Sequence, residues 1–288
     1  MTKVPTLASW CLVLATILAV TCVANAQDIK GSIRHTSQAI VIDGNPDEAA
    51  WATANEYILN GEAFNVEGSP PDNDDDLSAT WKALWDDDNL YFYAVVTDEF
   101  QSDDGPDAWQ DDSFELYIDA EARGKGDEPA VTNYQTDQEH PVYQLTVLPG
   151  EVEVSNGINH ERWVTANGDS GDLNASAATS DTGYTIEGAS PWSTLTGEGA
   201  NPAGILDRGF FGFGVAINDD DEADGERESQ LAWATDSNTQ WNDPTKFPDV
   251  ELLFPEGPGP DIFVKSAVDL GRVSAGVPVE LDLEAGNV

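Results

Sequence analysis

The chain has 288 residues and carries 54 acidic side chains against 12 lysines and arginines, for a net charge of −42. That field repels phosphate backbones and anionic lipid surfaces, which excludes nucleic acid and membrane as natural partners. The length suits one large β domain or two small ones.

Residues 1–26 read as a signal peptide. Lys3 gives a short basic start, residues 12–20 are almost wholly apolar, and Ala24-Asn25-Ala26 is a small-x-small cleavage site before Gln27. The apolar run is short for a membrane span. The expected location is therefore secreted, extracellular. A lipid anchor on Cys22 is a weaker alternative, because Ala19-Val20-Thr21 fits a lipobox poorly. Cys11 and Cys22 are the only cysteines, and both lie in this leader. Disulfides, thiolate catalysis and cysteine-based zinc sites are thereby excluded from the remainder.

The rest reads as short strands divided by acidic, Gly- and Pro-rich loops. Period-two alternation and β-rich runs predict strands at 39–42, 78–85, 90–97, 114–119, 142–147, 151–154, 163–165, 174–179, 183–190, 210–218, 230–234 and 250–254. Asp86-Asp87-Asp88-Asn89 is a hairpin connection between two aromatic-rich runs. Residues 47–55 and 192–195 read as single helical turns, and no longer amphipathic helix is convincing. Many short strands at near-regular spacing predict an all-β fold, an antiparallel β-sandwich of jelly-roll type. Trp81, Trp85, Phe92, Val96, Ile186, Phe211, Phe213 and Val215 are the expected inner faces, and Trp51 and Trp192 also sit in apolar patterns. Pro255-Glu256-Gly257-Pro258-Gly259-Pro260 is a linker by composition. Residues 261–288 begin a second alternating pattern too short to close its own core. The expected organisation is one domain over 27–254, a linker over 255–260, and the start of a further β domain.

Two tryptophans depart from the core pattern. Trp109 and Trp241 lie in loops crowded with Asp, Asn, Gln and Pro. Trp109 opens a strand in which Phe114, Leu116 and Ile118 alternate with Glu115, Tyr117 and Asp119. A flat ring beside fixed acceptors suits a sugar: its C–H face stacks on the indole and its hydroxyls bond the acid. Asp111 and Asp112 between them could shape the loop, bind calcium or face water.

The loop after 210–217 runs Asn218-Asp219-Asp220-Asp221-Glu222-Ala223-Asp224-Gly225-Glu226-Arg227. Like charges this dense repel unless a cation or Arg227 neutralises them. Asp220, Glu222, Asp224 and Gly225 have the rhythm of calcium loops, although the closing acid of an EF-hand would fall at Leu231. The candidate calcium ligands are Asp219, Asp220, Glu222 and Asp224; the alternative is a solvated loop pinned by Arg227. Asp98, Glu99, Asp103, Asp104 and Asp107 form a second cluster with the same two readings, and residues 72–76 look like a plain solvated run. Catalysis is not expected. No lone Glu sits in apolar surroundings that would raise its pKa, no G-x-S-x-G elbow is present, and His35, His140 and His160 stand apart.

An ordered series of motifs resembles the family 9 carbohydrate-binding modules. It runs Ile42-Asp43-Gly44-Asn45-Pro46-Asp47-Glu48-Ala49-Ala50-Trp51, Ala83-Leu84-Trp85-Asp86 through Asn89-Leu90-Tyr91-Phe92, then residues 109–119. It continues with Gly183-Tyr184-Thr185-Ile186-Glu187, Gly212-Phe213-Gly214-Val215-Ala216-Ile217-Asn218-Asp219, and Asn238-Thr239-Gln240-Trp241. The resemblance implies a DOMON-like β-sandwich with structural calcium, appended to xylanase-type extracellular proteins. It implies a non-catalytic module that clamps a xylan- or cellulose-type oligosaccharide between Trp109 and Trp241 and supports polysaccharide breakdown. Glu115 matches the family's acidic hydroxyl acceptor and Asn238 an amide before the second tryptophan. Residues 142–147 lack the family's arginine, and Gln144 takes its place. The rival readings are a structural or adhesive β domain without a sugar site, a haem-binding relative, which the lack of any methionine beyond Met1 in the leader disfavours, and a glycosidase.

Overall fold

The alternating pattern becomes thirteen strands in the computed structural model, which describes residues 28–102, 104–122, 142–149, 154–155, 174–196, 202–222 and 224–254. They are β1 (Ile29–His35), β2 (Glu56–Leu59), β3 (Phe64–Gly68), β4 (Leu77–Trp85), β5 (Asn89–Asp98), β6 (Ser113–Asp119), β7 (Val142–Val147), β8 (Val154–Ser155), β9 (Asn174–Ser180), β10 (Gly183–Pro191), β11 (Phe211–Asp219), β12 (Ser229–Ala232) and β13 (Asp249–Leu253). Two short helices, α1 (Trp192–Thr196) and α2 (Ala203–Arg208), and 3₁₀ turns at Ala49–Thr53 and Pro244–Lys246 join them. The leader, the linker, residues 261–288, the strand expected at 163–165, Asp103, His140 and His160 lie outside the described residues.

Hydrogen bonds link these strands into one continuous sheet in the order β8-β7-β6-β11-β13-β1-β4-β5-β10-β9, with β2 on β4 and β12 bridging β11 to β3. The sheet curls on itself. Phe92 on β5 and Phe114 on β6 are remote in strand order, yet their rings stack with centroids 6.1 Å apart. Trp81 on β4 meets Phe213 on β11 at 5.6 Å. All eight residues expected on the inner faces belong to this one core. Each large side chain buried there contributes about 1.5–3 kcal/mol.

Three local differences from the sequence reading have physical causes. Residues 39–42 form a loop, not a strand: Val41 is exposed, and its N–H donates to Glu48 Oε1 at 2.9 Å instead of a ladder carbonyl. The first strand is β1, which pairs parallel with both β13 and β4, so the sheet is not wholly antiparallel. The segments β2 and β3 are short strands that the alternation did not signal. The Asp86–Asn89 connection is a tight turn, where Asp86 Oδ1 accepts from Asp88 N at 2.9 Å and Asn89 N at 2.7 Å.

Candidate functional site

With Phe114, Leu116 and Ile118 in the core, alternation puts Glu115 and Tyr117 on the opposite face of β6. Register fills in the rest of that face. Gln144 on β7 stands opposite Tyr117, and Thr146 opposite Glu115. Ala216 on β11 flanks Glu115 on its other side, Asn218 faces Gln230 on β12, and Gln230 faces Glu67 on β3. Small residues keep the middle of the face low. A Cβ on Gly214 would meet Gln240 Nε2 at 2.4 Å and Tyr117 Cβ at 3.3 Å, so glycine leaves room for the loop that carries Trp241.

The result is a cavity of about 260 Å³ lined by Glu67, Trp109, Glu115, Tyr117, Gln144, Arg227, Gln230 and Trp241. Four of the residues singled out in the sequence, Trp109, Glu115, Gln144 and Trp241, line it. Trp241 is 38 % exposed. Asn238 is solvent-exposed on the same loop and is not among the lining residues.

Glu115 is fully buried and organises the floor. Its Oε2 accepts from the Tyr117 hydroxyl at 2.5 Å and Gln230 Nε2 at 2.8 Å. Its Oε1 accepts from Gln144 Nε2 at 3.1 Å and Thr146 Oγ1 at 3.3 Å. Its lone-pair directions are therefore taken, and a ligand hydroxyl reaches it only by displacing one of these donors. Gln230 spends its second N–H on Asn218 Oδ1 at 2.8 Å. Its own Oε1 has no partner among the described residues and is left as an acceptor.

Arg227 is the feature the sequence reading misplaced. It does not pin the acids of loop 219–226. Its Nη2 pairs with Glu67 Oε2 at 2.6 Å, and its Nη1 donates to Asn218 Oδ1 at 2.8 Å and Trp109 O at 3.3 Å. The guanidinium carbon lies 5.3 Å from the Trp109 ring centroid, within cation–π range. Tyr117 and Gln230 were also missed. Strand parity with Glu115 gives Tyr117, whereas Glu67, Gln230 and Arg227 carry no local signal, because β3 and β12 are placed by long-range pairing.

The loop holding Trp109 is braced by its own acids. Asp112 accepts from Ser102 N at 2.6 Å and Asp220 N at 3.0 Å, Asp111 accepts from Gly105 N at 2.6 Å, and Gln110 Nε2 donates to Gly225 O at 3.0 Å. Asp111 and Asp112 thus shape this loop. The Trp241 loop ends on Asp243, which caps the Pro244–Lys246 turn by accepting from Thr245 N at 3.0 Å.

Behind Trp109, three acidic segments converge. Asp219 groups with Asp98 and Asp112, and also with Asp76 and Asp221; Asp220 groups with Asp104 and Asp111, and with Asp224 and Glu228, each set with carboxylate oxygens within 4.8 Å of one another. Asp76 is part of this assembly, so residues 72–76 are not merely a solvated run. Glu222 is exposed and belongs to none of these sets. Burial is the main cause of raised pKa values throughout. Asp219 is pushed up to about 8 with Asp221 adding repulsion, and Asp221 to about 6 with Asp76 adding. Asp98 and Asp112 are both raised by burial and by their neighbouring acids. Asp219 Oδ1 is buried without a hydrogen-bond donor. Buried carboxylates without cationic partners are costly unless protonated or bound to a metal. An all-carboxylate donor set suits a hard cation.

Comparisons with known proteins agree on one group. The family described as "Carbohydrate family 9 binding domain-like" matches residues 42–253. An endo-1,4-beta-xylanase A of Thermotoga neapolitana is 28 % identical over 213 residues, covering 74 % of this chain and 17 % of that enzyme. An exoglucanase of Acetivibrio thermocellus is 25 % identical over 207 residues, covering 72 % of this chain and 16 % of the relative. The chain thus spans about a sixth of the length of these relatives. Among solved structures, a family 9 carbohydrate-binding module of Caldicellulosiruptor kristjanssonii in complex with cellotriose superposes with a TM-score of 0.57 at 17 % identity, covering 87 % of this chain and 99 % of that one. A module of the same organism in complex with glucose gives 0.57 at 19 % identity, covering 78 % and 97 %.

Proposed function

The chain belongs to the carbohydrate family 9 binding domain-like family, and we propose that it is a non-catalytic module that holds a xylan- or cellulose-type glycan in the cavity between Trp109 and Trp241. One observation carries this reading: Trp109, Glu115, Gln144 and Trp241, drawn from two adjacent strands and two separate loops, converge on a single cavity. Two indoles offer large rigid apolar faces for a pyranose ring. Gln144 and the Gln230 Oε1 supply directional bonds at the floor, and Glu115 holds both amides in place. Arg227 provides from the loop before β12 the guanidinium that β7 lacks. Asn238 is left out of the proposed contact set. The xylanase and exoglucanase relatives support the glycan class, and the module would serve polysaccharide breakdown as one part of a secreted, longer protein. We read the curled sheet as the jelly-roll sandwich of DOMON-like type that the motif series implies.

Calcium is the proposed structural ion. Asp98, Asp112 and Asp219 would hold one ion, and Asp104, Asp111 and Asp220 another, with Asp224 beside the second. A bound ion would supply the positive charge that these buried carboxylates lack, fixing the loop under Trp109.

Titration with xylo- and cello-oligosaccharides tests the reading. Trp109→Ala and Trp241→Ala should each weaken binding by about tenfold or more, which corresponds to about 1.4 kcal/mol. Undiminished binding by both variants would place the sugar elsewhere on the molecule.

A further inference from the structure

Beside the cavity lies an open groove of about 370 Å³ whose walls include Phe64, Lys30, Thr235, Asp236, Lys246 and Phe247. Phe64 is 47 % exposed and opens β3, a strand with no buried residue. Its place is defined by register. Glu67 in the cavity pairs with Gln230, and Phe64 pairs with Ala232 two residues further along β12. Two residues of strand span ~6.8 Å on the same face. The β-bulge between these pairs, in which the register shifts between Gln230 and Leu231, keeps Glu67 and Phe64 on one side despite their odd spacing.

The cavity and the groove are neighbours. Tyr117 lines the first and Phe247 the second, and their rings are 5.6 Å apart between centroids. Both recesses share the loop carrying Trp241: its apex reaches the cavity, while Thr235, Asp236 and Lys246 at its two ends wall the groove. The groove thus combines one open aromatic face with hydroxyl, carboxylate and ammonium groups at its rim, the mixture that recognises a hydroxyl-rich ring.

We propose that this groove is a second subsite, in which Phe64 stacks on the sugar unit adjoining the one held in the cavity. The proposal rests on the sugar-binding reading of the cavity and assigns the site a ligand longer than one unit. Its occupant is a neutral pyranose of the same chain. The opposed charges at the rim, where Lys30 Nζ pairs with Asp28 Oδ2 at 2.6 Å, leave no net cationic trap for an acidic sugar.

The test compares glucose with cellotriose by calorimetric titration of the wild type, Phe64→Ala, Phe64→Tyr and Trp241→Ala. Cellotriose should bind the wild type about tenfold more tightly than glucose. Phe64→Ala should leave glucose affinity unchanged and reduce cellotriose affinity to nearly that of glucose, a loss of about tenfold or 1.4 kcal/mol, while Phe64→Tyr should retain it. Equal affinity of the wild type for glucose and cellotriose, or equal weakening of both by Phe64→Ala, would overturn the second subsite and leave the cavity reading intact. Glucose binding that survives Trp241→Ala undiminished would instead overturn the cavity reading and, with it, the subsite built on it.

Discussion

At the scale of single residues, Glu115 organises the cavity floor while its own oxygens are taken up by neighbouring donors. Four donors from Tyr117, Gln230, Gln144 and Thr146 converge on its two oxygens. Glu115→Gln replaces one acceptor oxygen with an N–H₂ that faces donors. The expected cost is about 1–3 kcal/mol in urea unfolding, the range for leaving buried donors unsatisfied. Sugar affinity should fall alongside, because Gln144 and Gln230 lose the carboxylate that aims them. An unchanged urea midpoint and dissociation constant would show that Glu115 organises nothing. Strand parity made Glu115 and Tyr117 legible in the sequence. Arg227 was legible only as a lone cation amid acids, which suggested the wrong partners: Glu67 reaches it from β3, and no local spacing records that encounter.

At the scale of elements, one motif that looked like a signature is explained as a latch. The stretch from Ile42 to Trp51 is not a strand, and its order comes from Glu187 on β10. Glu187 Oε2 accepts from Asp43 N at 3.1 Å and Gly44 N at 3.3 Å, and Oε1 from Trp51 Nε1 at 3.0 Å. Thr185 Oγ1 adds a bond to Gly44 O at 2.6 Å. Gly44 has φ 86°, and a Cβ there would lie 3.1 Å from the Ala177 backbone, so glycine is required on two counts. Glu187→Ala strands three donors and should cost about 3 kcal/mol, read from the denaturant midpoint. Sugar affinity should hold, since β5, β4, β1, β13 and β11 separate β10 from β6 in the sheet. A change in affinity without loss of stability would contradict the latch. The hydrophobic spacing marked both β10 and the Trp51 turn, but the carboxylate joining them spans 136 residues of sequence and has no periodicity.

At the scale of the whole molecule, the acidic balance becomes a stability device. In chelator, Asp98, Asp112 and Asp219 have folded pKa values above the unfolded carboxylate range of about 4, about 8 for Asp219 and about 9 for Asp112. Between those values the unfolded chain releases protons that the folded one retains, so stability falls as pH rises from about 4 to about 9. Calcium in the proposed sites should reverse that trend, because it would bind the ionised form and favour the folded state by mass action. Melting temperature recorded against pH, with chelator and with calcium, checks this; a chelated protein that grows more stable from pH 5 to pH 8 would refute it. The sequence by itself determined the all-β class, the core residues and the two out-of-place tryptophans. These follow from period-two alternation and from rings lacking apolar neighbours, which are local properties of the chain. Tertiary structure alone decided the parallel placement of β1, the division of Asp219 and Asp220 between different acid clusters, and the arrival of Glu67, Gln230 and Arg227 beside Trp109. Each depends on strands brought together across long loops, and the free energy that selects such pairings comes from burying the shared core, which no short window of sequence contains.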